Sequence, residues 1–439
     1  MSLYLFGAIS IILTFILAFG AGFITDKILL NPGAKYSLIA LAPAIFFATI
    51  SAVLRGFFAG LKDMRPQGVS QVVEQIFNCF LSIFIVFLLL SQSSEIMVIG
   101  SSLGTTLATV AAVISLLLFY KTKAKEIKTE LKDALNINSE NTKKIIKSIL
   151  KFSIPISIIS IAQALSGIID LATVMRGLQN FLSYEEANIQ LGILTGKVDI
   201  LASLPLALNV AFAVVLVPAV AGAIAVGDYE DAKRKSTFSL LLSILIVLPC
   251  SIGLIVLADP ILKLLFPSTS SGALILQFIS FSTIFSAISQ TLSGTLQGLG
   301  KVLVPAKAII IGAIIKIILN VILVPIPSIG IIGATISTIV FSIVVTFIMY
   351  KETKSSLKIK LDIKKFIVKP LIASGIMGVV AIGAYKILFM ALNSNAIATI
   401  ISMGLAALVY GILIIKLRIF DDNEIKMLPF GRKIIEKLI

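Results

Sequence analysis

The chain has 439 residues, of which 58% are hydrophobic and only 13% charged, with no histidine and a net charge of +15. Soluble domains carry about 25% charged residues, so a soluble globular fold is excluded, as are His-ligated metals and a His proton relay. The basic surplus lies in loops between apolar runs, which makes it a matter of membrane orientation and not of nucleic-acid binding.

Apolar runs near 20 residues recur along the whole sequence, each long enough to cross a hydrocarbon core about 30 Å thick. Twelve spans are expected, at 3–25, 37–60, 69–91, 97–120, 152–175, 198–224, 237–257, 272–297, 304–325, 329–350, 368–390 and 395–416. No cleavable signal peptide is expected, because the first span begins within a few residues and has no basic region before it. The Lys/Glu-rich stretch 121–151 reads as an amphipathic surface helix, and 351–367 as a second basic linker. Cys79 and Cys250 fall inside spans and read as small buried hydrophobes, not a disulfide or metal site. With the amino terminus inside, 29 of the 37 Lys and Arg residues fall in inner loops and the tail and five in outer loops. That asymmetry puts both ends of the chain in the cytoplasm.

Two stretches match. Leu54-Arg55-Gly56-Phe57-Phe58-Ala59-Gly60-Leu61 is followed by Pro66, and Leu292-Ser293-Gly294-Thr295-Leu296-Gln297-Gly298-Leu299 by Pro305. Both set G-x-x-x-G at the inner end of a span, where small residues let helices approach closely. Both then make a tight turn, with proline entering the next helix. The turn and hinge residues are therefore Gly56, Gly60, Pro66, Gly294, Gly298 and Pro305. Two copies on the same side make parallel repeats. The second copy closes the fourth span after the basic linker, whereas the first closes the second span of the chain. Equivalent halves would leave the first short of two helices.

Four stretches in this order resemble the multidrug/oligosaccharidyl-lipid/polysaccharide exporter superfamily, and within it the stage V sporulation protein B and polysaccharide flippase branch. They are LRGFFAGLKDMRPQGVSQVVEQ at 54–75, SLPLALNVAFAVVLVPAV at 203–220, LADPILKLLFP at 257–267 and LSGTLQGLGKVLVPAKAIIIGAIIKIILN at 292–320. The resemblance implies an all-α polytopic membrane protein of about twelve transmembrane helices. It has a two-lobed, MATE-like fold with two extra carboxyl-terminal helices. The expected division is 1–120 for an amino-terminal lobe with four of its six helices, 121–151 for a cytoplasmic linker and 152–350 for a six-helix lobe. After these come 351–367 for a second linker, 368–416 for the extra helices and 417–439 for the tail. The resemblance further implies a flippase or exporter working by alternating access in a bacterial cytoplasmic membrane, not an enzyme. Its cargo would be a polyprenyl-pyrophosphate-linked cell-wall or polysaccharide precursor, and a cation-coupled multidrug antiporter of the same superfamily is the alternative. No cofactor is expected beyond coupling to H+ or Na+. The partners are the lipid-linked glycan and membrane lipids, and a monomer is expected.

An anionic head group crosses hydrocarbon only when paired, and Arg offers phosphate a bidentate fork. Ionisable residues within spans are thus the candidates to line a substrate cavity: Arg55, Glu74, Asp170, Arg176 and Lys316, with Asn320. Arg55 and Glu74 sit at similar depth on neighbouring helices, as an ion pair bracing the turn or as a head-group contact. Lys316 lies near the middle of its span, facing substrate or paired with a polar side chain. Asp170 couples a cation or pairs with Arg176 or Lys197, and Arg176 itself is a substrate contact or an interfacial anchor. Lys197 and Asp199 read as markers of the outer interface. Asn78, Gln163 and Asn209 read as interhelical hydrogen-bonding residues.

Overall fold

A computed structural model describes residues 2–28, 31–61, 63, 65–134, 142–359, 361–421 and 424. Among them are fourteen α-helices and no strand. Eleven helical stretches are long and apolar enough to cross a membrane. The span expected at 152–175 lies in a further long helix, Thr142–Leu178, many of whose side chains, Gln163 included, are outside the described residues. All-helical architecture follows from the solvent, since in hydrocarbon each backbone N–H and C=O must find its partner within the chain. The chain forms two compact units, Met1–Ile146 and Lys147–Ile439.

The first unit contains α1 (Ser2–Phe23), α2 (Lys35–Gly60), α3 (Arg65–Leu88) and α4 (Ser94–Ala134). α2 packs between α1 and α4, and α3 packs on α4. Leu54, Phe58 and Leu116 form its small core. Gly104 makes the α3–α4 contact possible, because a Cβ there would meet the Ser82 backbone at 2.7 Å. Asn78 binds the same pair of helices, accepting from Ser82 Oγ at 3.2 Å and Thr105 Oγ1 at 3.0 Å. Cys79 is exposed on α3 and Cys250 half-buried. The expected burial of Cys79 fails: α3 packs mainly on α4, and Cys79 is exposed. α4 also corrects the expectation for 121–151. It runs on to Ala134, and the next helix starts at Thr142. The described parts of this stretch thus prolong the flanking spans and form no separate surface helix; residues 135–141 lie outside the description. Its Lys, Glu, Ala and Leu residues are strong helix formers, with no Gly or Pro to stop the helix.

The second unit contains α5 (Thr142–Leu178, from Lys147), α6 (Tyr184–Ile193), α7 (Asp199–Ala225), α8 (Tyr229–Val256), α9 (Ala258–Leu265), α10 (Ala273–Gly298), α11 (Leu303–Leu323), α12 (Ile331–Leu357), α13 (Lys369–Leu392) and α14 (Asn395–Lys416). α10 is its centre, packed on α7, α8 and α12. Asn209 Nδ2 ties α7 to α10 by donating to Ala287 O at 2.9 Å and Gln290 Oε1 at 3.1 Å. A core of Leu240, Leu241, Leu245, Leu292, Leu296 and Met349 also takes in Phe366 and Ile419 from beyond the spans. The span expected at 198–224 begins earlier than its apolar run. Ser183 and Glu186 form a capping box that starts α6, which a π-type turn at Leu194–Val198 joins to α7. The two extra helices pack on each other, and α13 lies against α8. Residues 422–423 and 425–439 of the expected tail are outside the description.

The repeat is visible in backbone detail. Leu61 N–H donates to Phe57 O at 3.2 Å and Asp63 N–H to Phe58 O at 3.0 Å; at the matching positions Leu299 N–H donates to Thr295 O at 3.0 Å and Lys301 N–H to Leu296 O at 2.8 Å. Leu54 and Phe58 are buried, and so are their counterparts Leu292 and Leu296. Each turn is latched to the last helix of its repeat by an ion pair of opposite polarity. Asp63 pairs with Lys123 of α4, while Lys301 pairs with Glu352 of α12 at 2.5 Å. A second matching signature accompanies it: Gly104-x-Thr106-x-x-Thr109 in α4 and Gly333-x-Thr335-x-x-Thr338 in α12. Gly333, like Gly104, lies against a neighbouring backbone, that of Leu323.

Candidate functional site

Among the described residues, each unit has an ion pair joining two of its spans. In the first, α2 and α3 bring Arg55 opposite Glu74. The guanidinium Nη2 donates to Glu74 Oε2 at 2.6 Å, and Nε donates to Ser70 Oγ at 2.9 Å. The two side chains are 20% and 23% exposed. The remaining guanidinium N–H groups have no partner among the described residues. A delocalised, permanently charged fork with unused donors can accept an anion without releasing its carboxylate.

In the second unit, α5 and α11 bring Asp170 and Lys316 together. Lys316 Nζ donates to Asp170 Oδ2 at 2.6 Å, with the lysine 2% and the aspartate 14% exposed. Asn320, one turn along α11, donates to Asp170 Oδ1 at 3.2 Å and to Thr173 Oγ1 at 2.9 Å. The ammonium also lies 5.6 Å from the centre of the Phe341 ring, a cation–π contact. Two features are left over. Asn320 Oδ1 is buried with no hydrogen-bond partner among the described residues, and Asp199, at the start of α7, lies within electrostatic reach of both Asp170 and Lys316. Two carboxylates against one ammonium give this cluster a net negative charge.

Of the expected cavity residues, Arg55 meets Glu74, and Asp170, Lys316 and Asn320 meet one another. Arg176 is exposed at the end of α5. Asp170 pairs with Lys316, not with Arg176 or Lys197. Lys197 instead donates to Thr269 O at 2.6 Å and sits 5.2 Å above the Phe266 ring. Asp199 was read as an interface marker. Its true surroundings were hidden because α6 carries the span further out than hydropathy alone suggests. The sequence signal was the capping box at Ser183, which starts a helix fifteen residues before the expected span. Both Arg55 and Lys316 thus face a carboxylate partner.

Among solved structures, the chain superposes on lipid II flippase MurJ in its inward closed conformation with TM-score 0.62 and 18% identity, over 94% of this chain and 82% of that one. It superposes equally, at TM-score 0.62 and 13% identity, on an inward-facing multidrug resistance MATE family transporter of the MOP superfamily, over 81% of this chain and 79% of the other. At such identities the likeness establishes the fold, the one shared by lipid II flippase MurJ and MATE family transporters. The chain belongs to the polysaccharide biosynthesis protein family, whose profile matches residues 1–224; that of the MatE family matches residues 155–322. Stage V sporulation protein B of Bacillus subtilis (strain 168) is 26% identical over 451 residues, covering 99% of this chain and 83% of that protein. The family and the candidate spans together make this chain a multi-pass membrane transporter.

Proposed function

We propose that the protein flips a polyprenyl-pyrophosphate-linked cell-wall or polysaccharide precursor across the cytoplasmic membrane by alternating access, with the 61–64 and 299–302 turns on the cytoplasmic side. The observation that carries this reading is Arg55, a partly exposed guanidinium within a span that keeps unused donors beside its carboxylate partner. A pyrophosphate supplies oxygens that fit such a fork, and the carboxylate holds the cation at depth until the anion arrives. Lys316 is too enclosed for that task. The Asp170–Lys316–Asn320–Asp199 cluster suits coupling instead, because a surplus carboxylate and an orphaned amide oxygen favour uptake of H+ or Na+. The same negative cluster is what favours the alternative cargo, an organic cation exchanged by an antiporter.

The test is a lipid-linked glycan translocation assay in proteoliposomes. Arg55→Ala is expected to lower flux at least about tenfold, the equivalent of one lost charge-assisted hydrogen bond of about 1.5 kcal/mol. Glu74→Gln, which frees the guanidinium, retains flux. Equal losses in both variants would reduce Arg55 to a structural brace. Unchanged lipid flux in Arg55→Ala, with organic-cation efflux abolished by Asp170→Asn, would transfer the assignment to the antiporter.

A further inference from the structure

α8 carries a gap in its own backbone ladder. Pro249 lies inside the helix and is buried. Having no N–H, it leaves the carbonyl of Leu245, four residues earlier, without its α-helical partner. Within a span no water is at hand to replace the missing donor, and a bare buried carbonyl is costly. The donor comes from another helix. Tyr410 of α14 donates its hydroxyl to Leu245 O at 2.7 Å, and both residues are buried.

The packing around this contact fixes its register. At the start of α14, Asn395 Nδ2 donates to Pro260 O of α9 at 3.1 Å, and its Oδ1 accepts from the Tyr385 hydroxyl of α13 at 2.8 Å. Asn395 and Tyr410 are fifteen positions apart on α14, and so are Leu245 and Pro260 along α8 and α9. α14 therefore runs antiparallel to that stretch, with a polar contact near each end. α13 supplies the close approach. A Cβ on Gly378 would lie 2.9 Å from Ile252 Cγ2, so α13 rests on α8 within one turn of Pro249. Ile414, one turn beyond Tyr410, packs against the core cluster that contains Leu245.

We propose that α8 has a hinge at Pro249 and that Tyr410 is its latch. The hydroxyl stands in for the N–H that proline lacks, so Leu245 O is satisfied only while α14 is docked. Docked, the two extra helices hold α8 in one conformation; with α14 drawn away, the ladder of α8 is open at this point and the helix is free to change its bend. α8 packs on α7 and on the central helix α10, so the latch acts on the core of the second unit from helices outside its repeat. Neither the cargo nor the coupling ion enters this inference.

The test is a double-mutant cycle on the purified full chain, read by thermal melts and by amide hydrogen exchange. Tyr410→Phe keeps the ring and removes the donor. It is expected to lower the melting temperature by about 2–4 °C in the native chain. In Pro249→Ala it is expected to change nothing, because the alanine N–H bonds Leu245 O directly. Tyr385→Phe, which loses the Asn395 contact, is expected to lower the melting temperature equally in both backgrounds. Equal losses from Tyr410→Phe with and without Pro249 would overturn the proposal, since the hydroxyl would then act independently of the proline. No loss in either background would overturn it too. Exchange reads the hinge itself and decides the matter if Pro249→Ala fails to fold. Tyr410→Phe is expected to speed exchange over residues 250–253 at least about threefold, and unchanged exchange there would leave no latch.

Discussion

The two units solve the same problem, an ionisable pair inside a membrane, at different depths of enclosure. In the first unit Arg55 and Glu74 are each about one-fifth exposed and lean on a single serine. In the second, Lys316 is 2% exposed and is held by a carboxylate that also accepts from an asparagine and by an aromatic ring. The polarity on the matching helices is inverted: α3 carries the acid and α11 the base. A partly exposed pair can open to a ligand at small cost, whereas an enclosed one opens only if another charge enters, which is why cargo contact is assigned to one and coupling to the other.

That contrast predicts unequal consequences of breaking the pairs. Lys316→Ala strands Asp170 in a low-dielectric interior and is expected to cost about 3–5 kcal/mol, with Asp170→Asn in the same chain recovering most of it. Arg55→Ala leaves a carboxylate that is 23% exposed rather than enclosed and is expected to cost less, about 1 kcal/mol. Thermal melts of the purified variants measure both, and equal losses would erase the distinction between the units.

The glycines give the next largest difference. Gly298→Ala forces a methyl into Val220 and the Val217 carbonyl and is expected to destabilise by about 1–3 kcal/mol. Gly60→Ala in the purified chain meets open space and is expected to gain about 0.5–1 kcal/mol from helix propensity. Denaturant titrations of the two variants would show opposite signs.

The turn latches give the smallest effect. The hydrogen bond from Lys123 holds the Asp63 carboxyl below its ordinary value of 3.8. Its stabilising contribution is therefore present above that value and disappears as pH falls through the lower folded value. A melting-temperature titration of the native chain against Asp63→Asn is expected to show a small gap at neutral pH that closes in acid. A gap that widened in acid would contradict the pairing.

The span pattern, the repeated turn and its glycines, and the ionisable residues at depth were all legible in sequence, because hydrocarbon penalises every charge and every unpaired amide in a way that one-dimensional hydropathy records. Three things were not legible. Asp170 was expected to couple a cation or to pair with Arg176 or Lys197, and the fold set it against Lys316 on α11 instead. Asp199 looked interfacial until α6 was seen to carry its span outward. Gly56 and Gly298 read alike, and only their neighbours set one in open space and the other against a backbone. The sequence determined which groups lie in the membrane, since transfer free energy depends on the residue alone. The tertiary structure decided which charge met which partner and which glycine met a helix, since those depend on neighbours as far as 146 positions away in the chain.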